Sequence, residues 1–251
     1  MEKISFKQFF EFADNVTDLQ ELFPQIRNSN NVTHFQKEDQ TPVTELDLDI
    51  ENHIRTKIKS KYPDHAIQGE EFSDTKGSGS YNWVIDPIDG TFSYTKNVPL
   101  FGILLGLQFN NSPLYGALRL PLISNSLLAG DGNSVFPEIN NSDQPTPDCL
   151  RDSLVLTTDN QSILNSEYHN PWKKLCAASA HYRTWGDCFG YYMVCTGKAQ
   201  VMFDIGLKKC DILPLIPIIK ASGCKILELK APYIDILVYR KELDSEIRQY
   251  F

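Results

Sequence analysis

The 251-residue sequence has no C-x-x-C pair, no basic arm and no apolar run near the roughly 20 residues that span a bilayer. Its longest apolar stretches, Pro99 to Leu107 and Ile212 to Ile219, are of a length that fits a core and not a membrane. Without a paired spacing, Cys149, Cys176, Cys188, Cys195, Cys210 and Cys224 read as single buried thiols in a reducing compartment. Positive charge is the scarcer sign. The 24 Lys+Arg are scattered against 32 Asp+Glu, a net charge of -8, which argues against nucleic acid as a partner. Residues Met1 to Lys7 mix acid and base ahead of no apolar run, so neither a signal peptide nor a membrane span is expected and the expected location is cytoplasmic. What is present is ordinary for a globular chain: 41% hydrophobic, 11% aromatic and 22% charged residues. A chain of this length buries about 73% of its surface, enough for a core without disulfides or structural metals.

Phe9, Phe10, Ala13, Val16 and Leu19 recur at helical steps and predict a helix over Phe6 to Leu22, stopped before Pro24. Asn28 to Gln40 reads as loop. Thr44 is a natural N-cap for a helix reaching about Lys61, with Glu45, Asp47 and Asp49 in its positive first turns. Trp83 to Ile85 reads as a strand, and Leu100 to Phe109 with Leu114 to Leu118 as a hairpin across Asn110 to Pro113. Between Ala129 and Arg151 the composition turns to Gly, Asn, Ser, Asp and Pro, marking a boundary or a long loop. Beyond it, a strand at Leu154 to Leu156, helix within Ser162 to Cys176, and a helix from Asp187 to Thr196 stopped by Gly197 are expected. A strand from Ala199 to Phe203, a helix opening near Asp211, a strand from Ile234 to Tyr239 and a short helix from Glu242 to Tyr250 follow. The division expected is an α+β half over residues 1–130 and an α/β half over 150–251, folded as one unit, with no internal repeat.

Chemistry concentrates in Trp83-Val84-Ile85-Asp86-Pro87-Ile88-Asp89-Gly90-Thr91. An apolar strand delivers Asp86, Pro87 turns the chain, and Asp89 returns to the same place, so two carboxylates converge. Such a pair repels unless a cation lies between, and carboxylate oxygens with the free carbonyl of Ile88 suit Mg²⁺. The N–H groups of Gly90 and Thr91, at a helix start, suit an anion. Taken alone the segment is also a good turn sequence.

The motifs Val43-Thr44-x-x-Asp47, Gly69-Glu70-Glu71, Trp83-x-Ile85-Asp86-Pro87-Ile88-Asp89-Gly90-Thr91 and a late Asp211 heading an apolar helix resemble, in order and spacing, the inositol monophosphatase superfamily over about Phe6 to Gly223. The resemblance implies an α/β (α+β) fold, a layered αβαβα sandwich. It also implies a Mg²⁺-dependent, lithium-sensitive phosphomonoesterase and a homodimer. By position it implies that Glu70, Asp86, the Ile88 carbonyl, Asp89 and Asp211 hold two or three Mg²⁺. Asp47 and Thr91 then orient and deprotonate the attacking water with help from Glu70, and the Gly90 and Thr91 N–H groups hold the phosphate.

Within that superfamily Arg183-Thr184-Trp185-Gly186-Asp187-Cys188-Phe189-Gly190-Tyr191 is similar to the R-x-W-G-D-C-Y-x-Y stretch of histidinol-phosphatases, and Asp204 falls on an acid that contacts substrate hydroxyls. The expected substrate is a small phosphate monoester, L-histidinol phosphate, bound by Asp187, Asp204, Arg183 and Trp185. A carboxylate recognises its ammonium by a charge-assisted hydrogen bond. Asp187 could instead cap a helix or pair with Arg183 or Arg151, and inositol monophosphatase or relaxed-specificity phosphatase activity is the alternative. Three features depart from the family: Cys210-Asp211 replaces Trp-Asp, Lys220-Ala221-Ser222-Gly223-Cys224 replaces Glu-Ala-Gly-Gly, and Lys225 to Pro232 stands where an Asp-x-x-Gly segment is usual. Pro217 is expected to interrupt the last helix at Leu213, and Pro214, in its first turn, to be harmless.

Overall fold

Ser5 opens helix α1 (Phe6–Thr17) through a capping box with Gln8, and Phe9, Phe12, Ala13 and Val16 form its buried face. The structure, a computed structural model, describes residues 3–31, 33–36, 42–138 and 147–251. Helix α1 stops short of the expected Leu22, where the Thr17 hydroxyl donates back to Ala13 O at 2.7 Å and Asp18 leaves helical geometry. Part of the expected Asn28–Gln40 loop is a short strand, β1 (His34–Gln36), paired with β2 (Pro42–Thr44); residues 32 and 37–41 lie outside the described residues. Thr44 then caps α2 (Glu45–Lys61), whose Leu46, Ile50, Ile54 and Ile58 are buried at four-residue steps.

Six strands follow in one sheet in chain order: β3 (Ala66–Gly69), β4 (Tyr81–Asp89), β5 (Gly102–Phe109), β6 (Ser112–Leu120), β7 (Ser126–Gly130) and β8 (Val135–Phe136), with the short helix α3 (Thr91–Thr95) between β4 and β5. The β5–β6 hairpin turns on Asn110 and Asn111, both at positive φ (49° and 63°), the pair that a type I′ turn favours. The middle of the expected boundary, residues 139–146, lies outside the described residues; its start is taken by β7 and β8, which short length and glycine conceal in the sequence.

The second half contains β9 (Leu154–Leu156), α4 (Asn160–Leu164), α5 (His169–Ala178), β10 (His181–Arg183), α6 (Asp187–Cys195), β11 (Val201–Asp204), α7 (Lys209–Ile212), α8 (Leu215–Ala221), β12 (Cys224–Lys230), β13 (Asp235–Arg240) and α9 (Asp244–Ile247). Its sheet runs β10-β9-β11-β13-β12, parallel on the β10 side and antiparallel at β13.

Side-chain alternation stacks these elements in five layers. Ile103, Leu105 and Leu107 of β5 join the core under α1 and α2, while Leu104 between them joins the opposite core with Tyr191 and Val194 of α6 and Ile216 and Ile219 of α8. Met202, Ile236 and Val238 of the second sheet close that middle core, and their neighbours Val201, Phe203, Leu237 and Tyr239 face Ile163, Trp172 and Leu175 of α4 and α5. The result is an αβαβα sandwich. The ladder breaks at Leu213, as expected: α7 ends there, Pro217 has no N–H to return to Leu213 O, and Pro214, expected to be harmless, caps α8 at the same break. No helix among the described residues is long and apolar enough to cross a membrane. Cys188, Cys195, Cys210 and Cys224 are buried free thiols, and Cys149 and Cys176 are half-buried ones.

Candidate active site

The β3–β4 register sets Gly69 against Ile85, so the next residues, Glu70 and Asp86, leave the two strands side by side. A buried pair on α2 fixes the loop that carries Glu70: Glu51 accepts from Glu71 N at 2.8 Å, and Arg55, 2.7 Å from Glu51, donates to Phe72 O at 2.9 Å. Strand β4 does not end at Ile85 and turn at Pro87 as expected. It runs on to Asp89 while its pairing with β5 shifts between Asp86 and Asp89, because Pro87 has no N–H for the ladder. The irregularity aims both acids from one strand end. Gly90 follows at φ 94°, and a Cβ there would lie 2.9 Å from Leu100 O and 3.1 Å from an Asp187 oxygen, so this approach requires glycine.

Asp47 is fully buried in the capping box of α2. Its Oδ2 accepts from Thr44 N at 2.9 Å and Thr44 Oγ1 at 2.5 Å, while its Oδ1 lies 3.1 Å from Thr91 Oγ1. The Thr91 hydroxyl, with one proton, also lies 2.8 Å from Ile88 O. Burial pushes the Asp47 carboxyl up to about 6, against the pull of the Thr44 bonds.

From the opposite side comes α7. Lys208 N donates to Asp211 Oδ2 at 2.8 Å, Cys210 Sγ to Asp211 Oδ1 at 3.2 Å, and Lys208 Nζ reaches Glu70 Oε1 at 3.3 Å. Donor atoms of Glu70, Asp86 and Cys210 lie within 4.8 Å of one another. Burial first, and then facing carboxylates, holds Asp86 and Asp89 well above the usual range, and Asp211 is raised mainly by burial. Asp86 is 1% exposed, and its Oδ1 has no hydrogen-bond partner. A buried orphan oxygen among repelling acids fits a bound divalent cation, which satisfies the oxygen and reverses the repulsion.

Glu70, Asp86, Ile88, Asp89, Thr91 and Asp211 line a cleft of about 740 Å³. It adjoins a second cavity of about 270 Å³ that shares Asp89, Asp187 and Asp211 and adds Asp204 and Tyr191. Asp187 opens α6 in the left-handed region (φ 49°) with its N–H donating to Thr158 Oγ1 at 2.8 Å. Burial, then Asp211, pushes its carboxyl up to about 7. Asp204 ends β11. Its Oδ1 accepts from Thr158 N at 2.9 Å, its Oδ2 has no partner, and burial pushes it to about 7. The capping and ion-pair alternatives for Asp187 fall away. Gly186 holds the cap position, Arg183 donates to Tyr182 O at 2.7 Å, and Arg151 lies 4.0 Å from Asp152. Arg183 and Trp185 are exposed and line neither cavity: Arg183 ends the exposed edge strand β10, and Trp185 follows beyond it. Sequence reading passed over Thr158 and Lys208, and gave Tyr191 and Cys210 no place at the site. Thr157-Thr158-Asp159 at the end of apolar β9 was the available signal, a polar cluster at a strand end.

The sequence profile of the inositol monophosphatase family matches residues 11–246. A histidinol-phosphatase of Chlorobaculum parvum is 34% identical over 193 residues, 76% of this chain and 74% of that protein. The extragenic suppressor protein suhB of Bartonella henselae superposes with a TM-score of 0.85 at 15% identity, covering 96% of this chain and 97% of the other. An IMPase/NADP phosphatase complexed with Mg²⁺ and phosphate superposes with a TM-score of 0.77 at 18% identity, covering 97% and 92%.

Proposed function

The chain belongs to the inositol monophosphatase family and is a phosphatase of phosphate monoesters, and from that premise we propose that its substrate is L-histidinol phosphate. The carrying observation is the second cavity: beyond the convergent metal-type acids, Asp187 and Asp204 offer carboxylates to a leaving group, and among the described residues no lysine or arginine lines the wall there. A polyol meets hydroxyl acceptors in such a pocket, but a cationic amino alcohol also neutralises two buried acids, which is the larger gain. The histidinol-phosphatase at 34% identity points the same way.

On this reading Glu70, Asp86, the Ile88 carbonyl, Asp89 and Asp211 hold two or three Mg²⁺, as hard oxygen ligands do. When bound, the ions supply positive charge that draws in the phosphate and acidifies water. The chain's own groups do the rest. The Gly90 and Thr91 N–H groups orient the phosphate. Thr91 Oγ1 positions the attacking water, and Asp47, ionised at neutral pH with its carboxyl near 6, takes the proton through Thr91. The P–O bond to the leaving group then breaks, and the departing oxygen gains a proton from solvent. Asp187 and Asp204 hold the ammonium and the imidazole, while Arg183 and Trp185 stay outside the pocket.

Asp187→Asn is the test, since asparagine keeps the left-handed backbone and removes only the charge. On histidinol phosphate kcat/KM falls about 10- to 150-fold, equivalent to about 1.5–3 kcal/mol, while a neutral aryl phosphate is little affected. Equal losses on both substrates, or wild-type turnover of inositol phosphates exceeding that of histidinol phosphate, would favour the inositol or relaxed-specificity reading.

A further inference from the structure

Asp187 and Asp204 reach the second cavity from different elements, and one residue bonds to both. Strand β9 lies between β10 and β11 and parallel to each, with Leu156 opposite both Arg183 and Met202. Thr157 N prolongs that pairing by donating to Arg183 O at 3.2 Å, so Thr158 emerges where β10 leads into α6 and where β11 ends. There the Thr158 N–H donates to Asp204 Oδ1 at 2.9 Å, and its Oγ1 accepts from Asp187 N at 2.8 Å. Gly186 lets the two segments meet: a Cβ on it would fall 2.2 Å from Thr158 Cα. Thr158 is exposed on the rim shared by both cavities, so the fold leans little on its side chain.

We propose that Thr158 is a positioning residue that sets the span between these two carboxylates and so fits the second cavity to an alcohol carrying an ammonium and an imidazole. The inference rests on the reading of Asp187 and Asp204 as the acids that meet the leaving group. Asp187 stands in the left-handed region at φ 49°, a conformation that an aspartate keeps only where its neighbours hold it. The Thr158 hydroxyl is the group that meets its N–H. Without that acceptor the backbone relaxes toward right-handed geometry and carries the carboxylate out of place, while Asp204 keeps its bond to the Thr158 backbone. The bonds at Asp47, Thr91 and Asp211 are to Thr44, Ile88, Lys208 and Cys210, so the phosphate end keeps its geometry.

The test compares Thr158→Val, which keeps the backbone N–H and the branched shape but loses the hydroxyl, with Thr158→Ser, which retains it. In Thr158→Val kcat/KM on histidinol phosphate falls about 5- to 30-fold, mostly as a rise in KM, while turnover of a neutral aryl phosphate changes less than about twofold. The melting temperature moves by less than about 2 °C. Thr158→Ser stays within about threefold of wild type on histidinol phosphate. Added to Asp187→Asn, Thr158→Val costs less than about twofold more, because a residue that works through Asp187 has nothing left to position once that charge is gone. Equal losses on the two substrates, a serine variant as impaired as the valine one, or losses that multiply in the double variant each overturn the proposal. If Asp187→Asn is selective for histidinol phosphate and Thr158→Val is not, the reading of the cavity stands and only the role of Thr158 falls. If Asp187→Asn is not selective, both fall.

Discussion

Asp204, placed at the leaving group in the proposed reading, also carries instability. Its Oδ1 is held by Thr158 N, its Oδ2 is without a partner, and its carboxyl sits near 7 where an unfolded aspartate sits near 3.8. Between about pH 4 and pH 7 the folded chain therefore binds a proton that the unfolded chain does not, and this residue's contribution to stability falls as pH rises through that window. Asp204→Asn removes the ionisation and can keep the bond from Thr158. Without divalent metal, the variant at pH 8 is more stable than wild type by about 1–3 kcal/mol, and the gap closes toward pH 4. Melting temperatures across pH check this; a difference that does not change with pH would assign the effect to packing. At this scale the metal-type acids were legible, because Asp86, Ile88, Asp89, Gly90 and Thr91 are neighbours in one short motif. Thr158 and Lys208 were not, since each reaches the site from a separate element, and the only local signal, the polar cluster around Thr158, does not say what it faces.

The break between α7 and α8 positions a ligand by packing alone. Pro214 lies against the first sheet, and a Cβ on Gly116 of β6 would fall 1.7 Å from Pro214 O, a backbone atom that cannot swing aside. Gly116→Ala therefore forces α7 and α8 off the sheet and costs about 2–3 kcal/mol. Asp211 stands three residues before Pro214, so Mg²⁺-dependent turnover should drop along with the melting temperature; a variant with unchanged melting and turnover would contradict this packing. The break at Leu213 was legible because Pro217 has no N–H for Leu213 O, whereas the close approach of Gly116 to Pro214 is a tertiary fact that helix propensity does not see. Helix α2, with its Thr44 cap, and the Asn110-Asn111 hairpin were legible for the opposite reason: their signals are contained within a few residues. Strand β10, three exposed residues, and β12, an edge strand with charges between its apolar positions, offered no apolar run to read.

Across the whole molecule, two sheets and the helices between them press six carboxylates, Glu70, Asp86, Asp89, Asp187, Asp204 and Asp211, into adjoining cavities, with Asp47 buried behind Thr91. Removing divalent cations leaves that repulsion unrelieved, and adding Mg²⁺ at 100 times its dissociation constant stabilises the fold by about 2.7 kcal/mol. Scanning calorimetry should show a rise of several degrees with Mg²⁺ that NaCl of equal ionic strength does not reproduce; equal rises would reduce the effect to charge screening. The layer order itself followed from the family resemblance, while the path by which the layers meet at the acids did not, since it depends on registers such as Gly69 against Ile85. That meeting has a consequence for descent. The phosphate-side residues Glu70, Asp86, Asp89 and Thr91 extend from the first sheet, and Asp187 and Asp204 extend from α6 and the second. On the proposed reading, the groups that meet the phosphate and those that meet the leaving group thus lie mostly on different sheets of one chain, Asp211 of α7 being the exception. A lineage could then exchange the alcohol it accepts by drift in the second sheet while the acids of the first stay in place.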